Sequence, residues 1–223
     1  MKPLKQVAST LSWGLALQAA TLVAGAYLHR NAAGSAAVQA AIAELGCGQL
    51  GVAWSDPEAK APTPKAIARR ALRGAGYAAA LAIVVVVLAL LTRAASFHGA
   101  PGLGILALVN GLMVSAFLAV RDELILRGLV LRALAGAVPG MVELGVCGLV
   151  AAAAAWGAKD GAPLETLSAG LLGIGLAALW KTDRGAWMAW GANLTFHFVM
   201  TTVTHGAVFD VRVTQGSWAQ AVL

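Results

Sequence analysis

The residues best suited to chemistry form one short stretch, Arg121-Asp122-Glu123-Leu124-Ile125-Leu126-Arg127-Gly128. Two acids stand side by side with an arginine four residues after the second, and the run from Pro101 to Val120 before them has no ionisable side chain. On a helix, Glu123 and Arg127 share a face as an i, i+4 pair. A carboxylate at or within a bilayer is costly unless it is paired, opens to a water-filled cavity, or both, so an intramembrane acid is a functional candidate by default. Glu123 then offers a general base, provided that its surroundings make it basic enough to take a proton from water. The same spacing equally suits an ordinary Glu–Arg pair where a helix ends at the membrane surface.

A second polar group lies inside the last apolar run: Asn193, Thr195, His197, Thr201, Thr202 and His205. Asn193 and His197 are four apart and project from one helix face, and His205 lies two turns further on, rotated by about 80°. An asparagine one turn from His197 can fix the imidazole tautomer or help to cradle a developing oxyanion. A plain helix–helix hydrogen bond is the competing role for a membrane histidine, and it is the preferred one for His205 near the helix end. His29 and His98 flank apolar runs and read as interfacial. Trp187 and Trp190 open the last run, where aromatic anchors are expected. Asn193-Leu194-Thr195 is formally a glycosylation acceptor but falls within a span.

The elements that must position these groups are membrane helices. Of 223 residues 59% are hydrophobic and only 12% charged, and the mean hydropathy is +0.77. These values predict an all-α, polytopic transmembrane helical bundle of about six to eight membrane helices. The net charge of +6 does not imply nucleic acid, because the basic residues sit beside apolar runs, where the positive-inside effect accounts for them. Abundant alanine and glycine favour close helix packing in lipid, and Ala169, Gly173 and Ala177 recur every four residues as a smooth face. Cys47 and Cys147 have no metal-type spacing. No Gly-rich phosphate loop, sustained repeat or His-Glu-x-x-His pattern is found.

Along the chain, Lys2 and Lys5 precede an apolar run from about Leu11 to Leu28, read as a retained first helix in preference to a signal peptide. Ser35 to Leu45 reads as an amphipathic interfacial helix or as part of an extra crossing that carries Gln39, Glu44 and Gln49. Asp56 to Arg73 reads as a loop, with Pro57, Pro62 and Pro64 as breakers and Lys60, Lys65, Arg69, Arg70 and Arg73 as a basic collar. Residues 1–73 are thus a first membrane helix, an amphipathic segment and a basic loop, 74–209 the membrane bundle with the candidate site, and 210–223 a short C-terminal tail. Spans are expected at about 74–92, 101–120, 141–157, 164–180 and 185–204. The second continues through the acidic motif to about Leu134, which makes about 50 Å of helix against an apolar core of about 30 Å, so it must tilt, bend or leave the membrane. A cytoplasmic collar makes Arg121, Arg127, Arg132, Lys181 and Arg184 cytoplasmic too, and from Gly74 onward only Arg93, Lys159 and Arg212 fall outside. If the first lysines are also inside, another crossing or re-entrant turn is needed before Asp56.

Taken together, these residues resemble the CPBP family of membrane proteases, which includes the type II CAAX prenyl endopeptidases and bacterial Abi proteins. Asp122-Glu123-Leu-Ile-Leu-Arg127-Gly128 matches that family's Glu-Glu-x-x-x-Arg motif with one conservative change. Lys181-Thr182-Asp183-Arg184-Gly185-Ala186-Trp187 resembles the turn that leads into its His-x-x-x-Asn motif, which places Asn193 at the His position and His197 at the Asn position. In the middle, Ala152 and Trp156 stand where a Phe-x-x-x-His motif is expected, and its histidine is missing. The segment from Glu44 to Trp54 is also similar to the myxosortase branch, whose members process carboxy-terminal sorting tails.

The resemblance implies a metal-free, cofactor-free glutamic mechanism for hydrolysis of a peptide bond at or within the bilayer. Asp122 and Glu123 would be the acidic pair, with the water-activating role open between them, Arg127 their organiser, and His197 with Asn193 the electrophilic side. The implied partners are a membrane-anchored protein or peptide substrate and the lipid bilayer, in a bacterial inner (cytoplasmic) membrane. The competing class is a non-catalytic scaffold or bacteriocin-immunity protein that keeps the fold without the chemistry. A small transporter has less support, because no repeated half with matching broken helices is found.

Overall fold

The computed structural model describes residues 4–55, 61–98, 104–158, 162–204, 208–214 and 217–221. In order they form α1 (Leu4–Tyr27), α2 (Ala32–Gln49), α3 (Pro64–Leu91), β1 (Ala95–His98), α4 (Ile105–Asp122), a π-helical turn (Glu123–Gly128), α5 (Leu129–Leu134), α6 (Gly140–Ala158), α7 (Pro163–Asp183), α8 (Trp187–Phe198), a second π turn (Val199–Val203), β2 (Asp210–Val213) and a short 3₁₀ helix (Trp218–Ala221). With α4, the first π turn and α5 read as one rod, seven helices make the bundle among the described residues. Five of these helical stretches are long and apolar enough to cross a bilayer: Lys5–Tyr27, Pro64–Leu91, Ile105–Leu134, Gly140–Gly157 and Pro163–Asp183. Only 11–22% of each one's most apolar window is buried within the molecule. Large apolar side chains such as Leu15, Leu106 and Met141 therefore face outward, as lipid requires and water forbids. The protein is an all-helical integral membrane bundle.

The helix starts follow local chemistry. Asn31 caps α2 by accepting from the Gly34 amide at 2.9 Å. At α3 the expectation of a loop through Arg73 fails, because the helix begins at Pro64. Thr63 caps it, accepting from the Ala66 amide at 3.3 Å, and Pro64 occupies the first turn, where its missing N–H costs nothing. The collar residues Lys65, Arg69, Arg70 and Arg73 therefore lie on the first turns of a helix. Pro57 and Lys60 lie outside the described residues.

α2 buries one face, Ser35, Ala36, Gln39, Ala40, Ala43 and Cys47, and packs against α1 and α4. Its far end leads to Ser55, which bridges to Gly185 in the turn between α7 and α8. α2 thus returns the chain from the end of α1 toward the turn between α7 and α8, and it is not among the five helices long and apolar enough to cross a bilayer. Glycines set the closest helix contacts. A methyl on Gly173 would lie 2.6 Å from Ala151 Cβ, and one on Gly148 would lie 2.9 Å from the Gly170 carbonyl oxygen, so α6 and α7 meet backbone to backbone along the Gly173–Ala177 face. At the far end, β1 and β2 pair antiparallel with Ala95 opposite Val213 and His98 opposite Asp210, a small sheet where a loop and a tail were expected. Ala95 and Val211 of this sheet cluster with Ala89 near the end of α3 and with Ala219.

Candidate active site

The core closes around the first π turn, all six of whose residues, Glu123 to Gly128, are buried. An α-helix that widens by one residue carries its side chains onto new azimuths, which is why π turns recur at functional sites. Here the widened turn keeps Glu123 and Arg127 paired at 2.8 Å while aiming the carboxylate at α7 and α8.

Glu123 is fully buried, with 0% exposure. Its Oε1 accepts from an Arg127 guanidinium nitrogen at 2.8 Å and from Asn193 Nδ2 of α8 at 2.9 Å. Its Oε2 accepts from the Trp180 indole Nε1 of α7 at 2.7 Å. An ionised carboxylate has about four acceptor positions. Three are occupied, and the vacant one is on Oε2. Arg127 and Asn193 are themselves buried, so the group is a sealed ion pair with two neutral donors. Such a pair is tolerated in an interior only when further hydrogen bonds satisfy it, and its value is specificity of placement more than stability. Arg127 Nε has no hydrogen-bond partner among the described residues, a buried donor left over at the same centre.

Asp122 lies elsewhere. Arg121 engages its Oδ1 through Nε at 2.7 Å and through a terminal nitrogen at 2.6 Å. The other terminal nitrogen of Arg121 donates to Gln39 Oε1 of α2 at 2.6 Å, and Gln39 Nε2 donates to Ser35 Oγ at 3.2 Å. The expected acidic pair is therefore split into two ion pairs, one toward α7 and α8 and one toward α2. Successive helical residues point about 100° apart, and nothing in the turn brings them back together.

Asn193 joins Glu123 directly, its Nδ2 donating to Oε1 at 2.9 Å. His197 stands one turn further along α8, half-buried, and its backbone carbonyl accepts from the Thr201 hydroxyl at 2.7 Å. The donors on Glu123 are Arg127, Trp180 and Asn193, and the His197 ring is not among them. His205 lies outside the described residues. Trp156, at the expected middle-histidine position, is exposed on α6. Trp187 stacks on Trp54 with ring centroids 4.7 Å apart and donates to Ser55 Oγ at 3.1 Å, while Trp190 donates to the Ala116 carbonyl at 3.2 Å, so both anchor the bundle as expected.

Sequence reasoning missed Trp180 and the reason for Gly128. A tryptophan just before a lysine at a helix end looks like an ordinary belt residue, and only its need for a hydrogen-bond acceptor when buried hints at more. Gly128 is needed because a methyl there would lie 2.7 Å from Val52 Cγ1 and 3.0 Å from Trp180 Cη2. The glycine thus seats the indole that holds Glu123.

Compared with known families, residues 103–199 match the family model described as type II CAAX prenyl endopeptidase Rce1-like. The matched stretch includes Asp122, Glu123, Arg127, Trp180, Asn193 and His197. No curated protein and no solved structure matches the chain.

Proposed function

From the premise that this stretch belongs to the Rce1-like family of type II CAAX prenyl endopeptidases, we propose that the protein hydrolyses a peptide bond of a membrane-anchored protein, such as a carboxy-terminal anchor or sorting tail. The proposed setting is a bacterial inner membrane. The observation that carries this reading is the Glu123 carboxylate, held by donors from its own π turn, from α7 and from α8, with one acceptor position left on Oε2.

In the proposed reaction a water donates to that Oε2 position, Glu123 takes its proton, and the water oxygen attacks the scissile carbonyl carbon. The carbonyl π electrons move to oxygen, and the resulting oxyanion is steadied by Asn193 and His197. Glu123 then passes the proton to the departing amine as the C–N bond breaks. Arg127 keeps the carboxylate in place throughout.

The test is a comparison of membrane-protein termini in cells that carry the wild-type gene, Glu123→Gln or His197→Ala, normalised to the abundance of the protein. Each variant is expected to abolish a terminus that the wild type produces. Unchanged processing by both variants overturns the reading.

A further inference from the structure

A hydrolase whose carboxylate has no exposure needs a way to admit water. A cleft of about 310 Å³ lies at the collar end, bounded by the segment after α2, by the last turn of α5 and by the turn after α7. Its lining is mainly apolar, with Val52, Gly128 and Trp180, and carries three cationic residues, Arg132, Lys181 and Arg184, that can draw water to it. Trp180 borders the cleft and also reaches the carboxylate, its indole N–H lying on Glu123 Oε2. The indole therefore touches both the cleft and the buried acid.

Resting on the protease reading above, we propose that Trp180 is a gating and positioning residue whose indole closes Glu123 off from the collar-end cleft and turns aside to admit water. One side-chain rotation then does two things. It opens the path from the cleft, and it vacates the Oε2 position that the indole occupied, so that two acceptor positions face the incoming water. Gly128 sets the resting position, since the indole edge lies over the place where a Cβ would be. The oxygen uncovered is the one that Arg127 and Asn193 do not hold, so the carboxylate stays anchored through Oε1 while the gate is open.

The experiment measures aqueous access to Glu123 in the full chain reconstituted in liposomes, using a water-soluble carbodiimide with glycine ethyl ester. Cleavage after Arg121 and Arg127 releases one peptide with both acids, so Asp122 is an internal control read by fragmentation. In the wild type, Asp122 is expected to label and Glu123 to label slowly. Trp180→Ala is expected to raise the Glu123 rate about tenfold at constant Asp122 rate, because labelling follows the population of the open form. Trp180→Phe, which keeps a ring but loses the N–H, and Gly128→Ala, which pushes the indole from behind, are expected to fall between. Glu123 labelling that stays slow in all three variants overturns the gate, as does a rise shared equally by Asp122. Faster labelling of Glu123 alone, in a protein that processes nothing, leaves the gate standing and removes the protease reading.

Discussion

Asp122 and Glu123 are adjacent in the chain and occupy two different kinds of place. Glu123 has 0% side-chain exposure and partners from three helical elements, whereas Asp122 keeps 14% and takes its ion pair from the residue beside it, with Gln39 of α2 behind. A site assembled by tertiary closure fixes an oxygen within a hydrogen-bond length from several directions, but excludes solvent. A site assembled locally leaves one carboxylate oxygen outside the Arg121 contacts. The lesson is that two acids in sequence need not form one acidic centre: the first π turn gives Glu123 the protein interior and leaves Asp122 at the margin.

The comparison is broken most severely by removing Arg127. Arg127→Met leaves Glu123 buried with two neutral donors, which costs about 3–5 kcal/mol for a buried pair deprived of one partner. Glu123→Leu with Arg127→Met is expected to cost far less than the sum of the two single changes, since no uncompensated charge remains. Thermal unfolding in a single detergent checks both. If Arg127→Met is no more damaging than Arg121→Met, the two ion pairs are equivalent and the contrast between the sites fails.

A middle-sized effect tests the link between helices. Asn193→Ala removes the donor that ties α8 to Oε1 and is expected to cost about 1.5–3 kcal/mol, the range for hydrogen bonds to charged groups. The same denaturation measurement checks it, and a loss of only a few tenths would mean that Asn193 is a spectator of the Glu123–Arg127 pair.

The helices and the Glu123–Arg127 pairing were legible because hydropathy and the four-residue spacing are local properties, whereas the contact of Asn193 with Glu123, 70 residues away, was not. The length of the rod was legible too: the long helix expected from Pro101 to about Leu134 appears as Ile105–Leu134, with a π turn at Glu123–Gly128. Pro64 misled because a proline that stops a helix from one side starts it from the other, and Thr63 before it is the cue that decides. Trp180 and the split of the two acids were not legible. Both depend on how α7, α8 and α2 close on the rod, and the pairing of an indole with a carboxylate 57 residues away leaves no periodic trace.

The smallest expected effect is the one that assigns the chemistry. Asp122→Asn leaves Arg121 its contact with Gln39 and removes a pair that is partly exposed, so screening limits the loss of stability to about 1 kcal/mol or less. On the proposed mechanism Asp122→Asn keeps most of the processing, because the water sits on Glu123 Oε2. In the same termini comparison, Asp122→Asn processing at wild-type extent beside a silent Glu123→Gln sharpens the contrast between the two carboxylates. The reverse pattern would invert their roles, making Glu123 the fixed anchor that sets the helix azimuth and Asp122 the base.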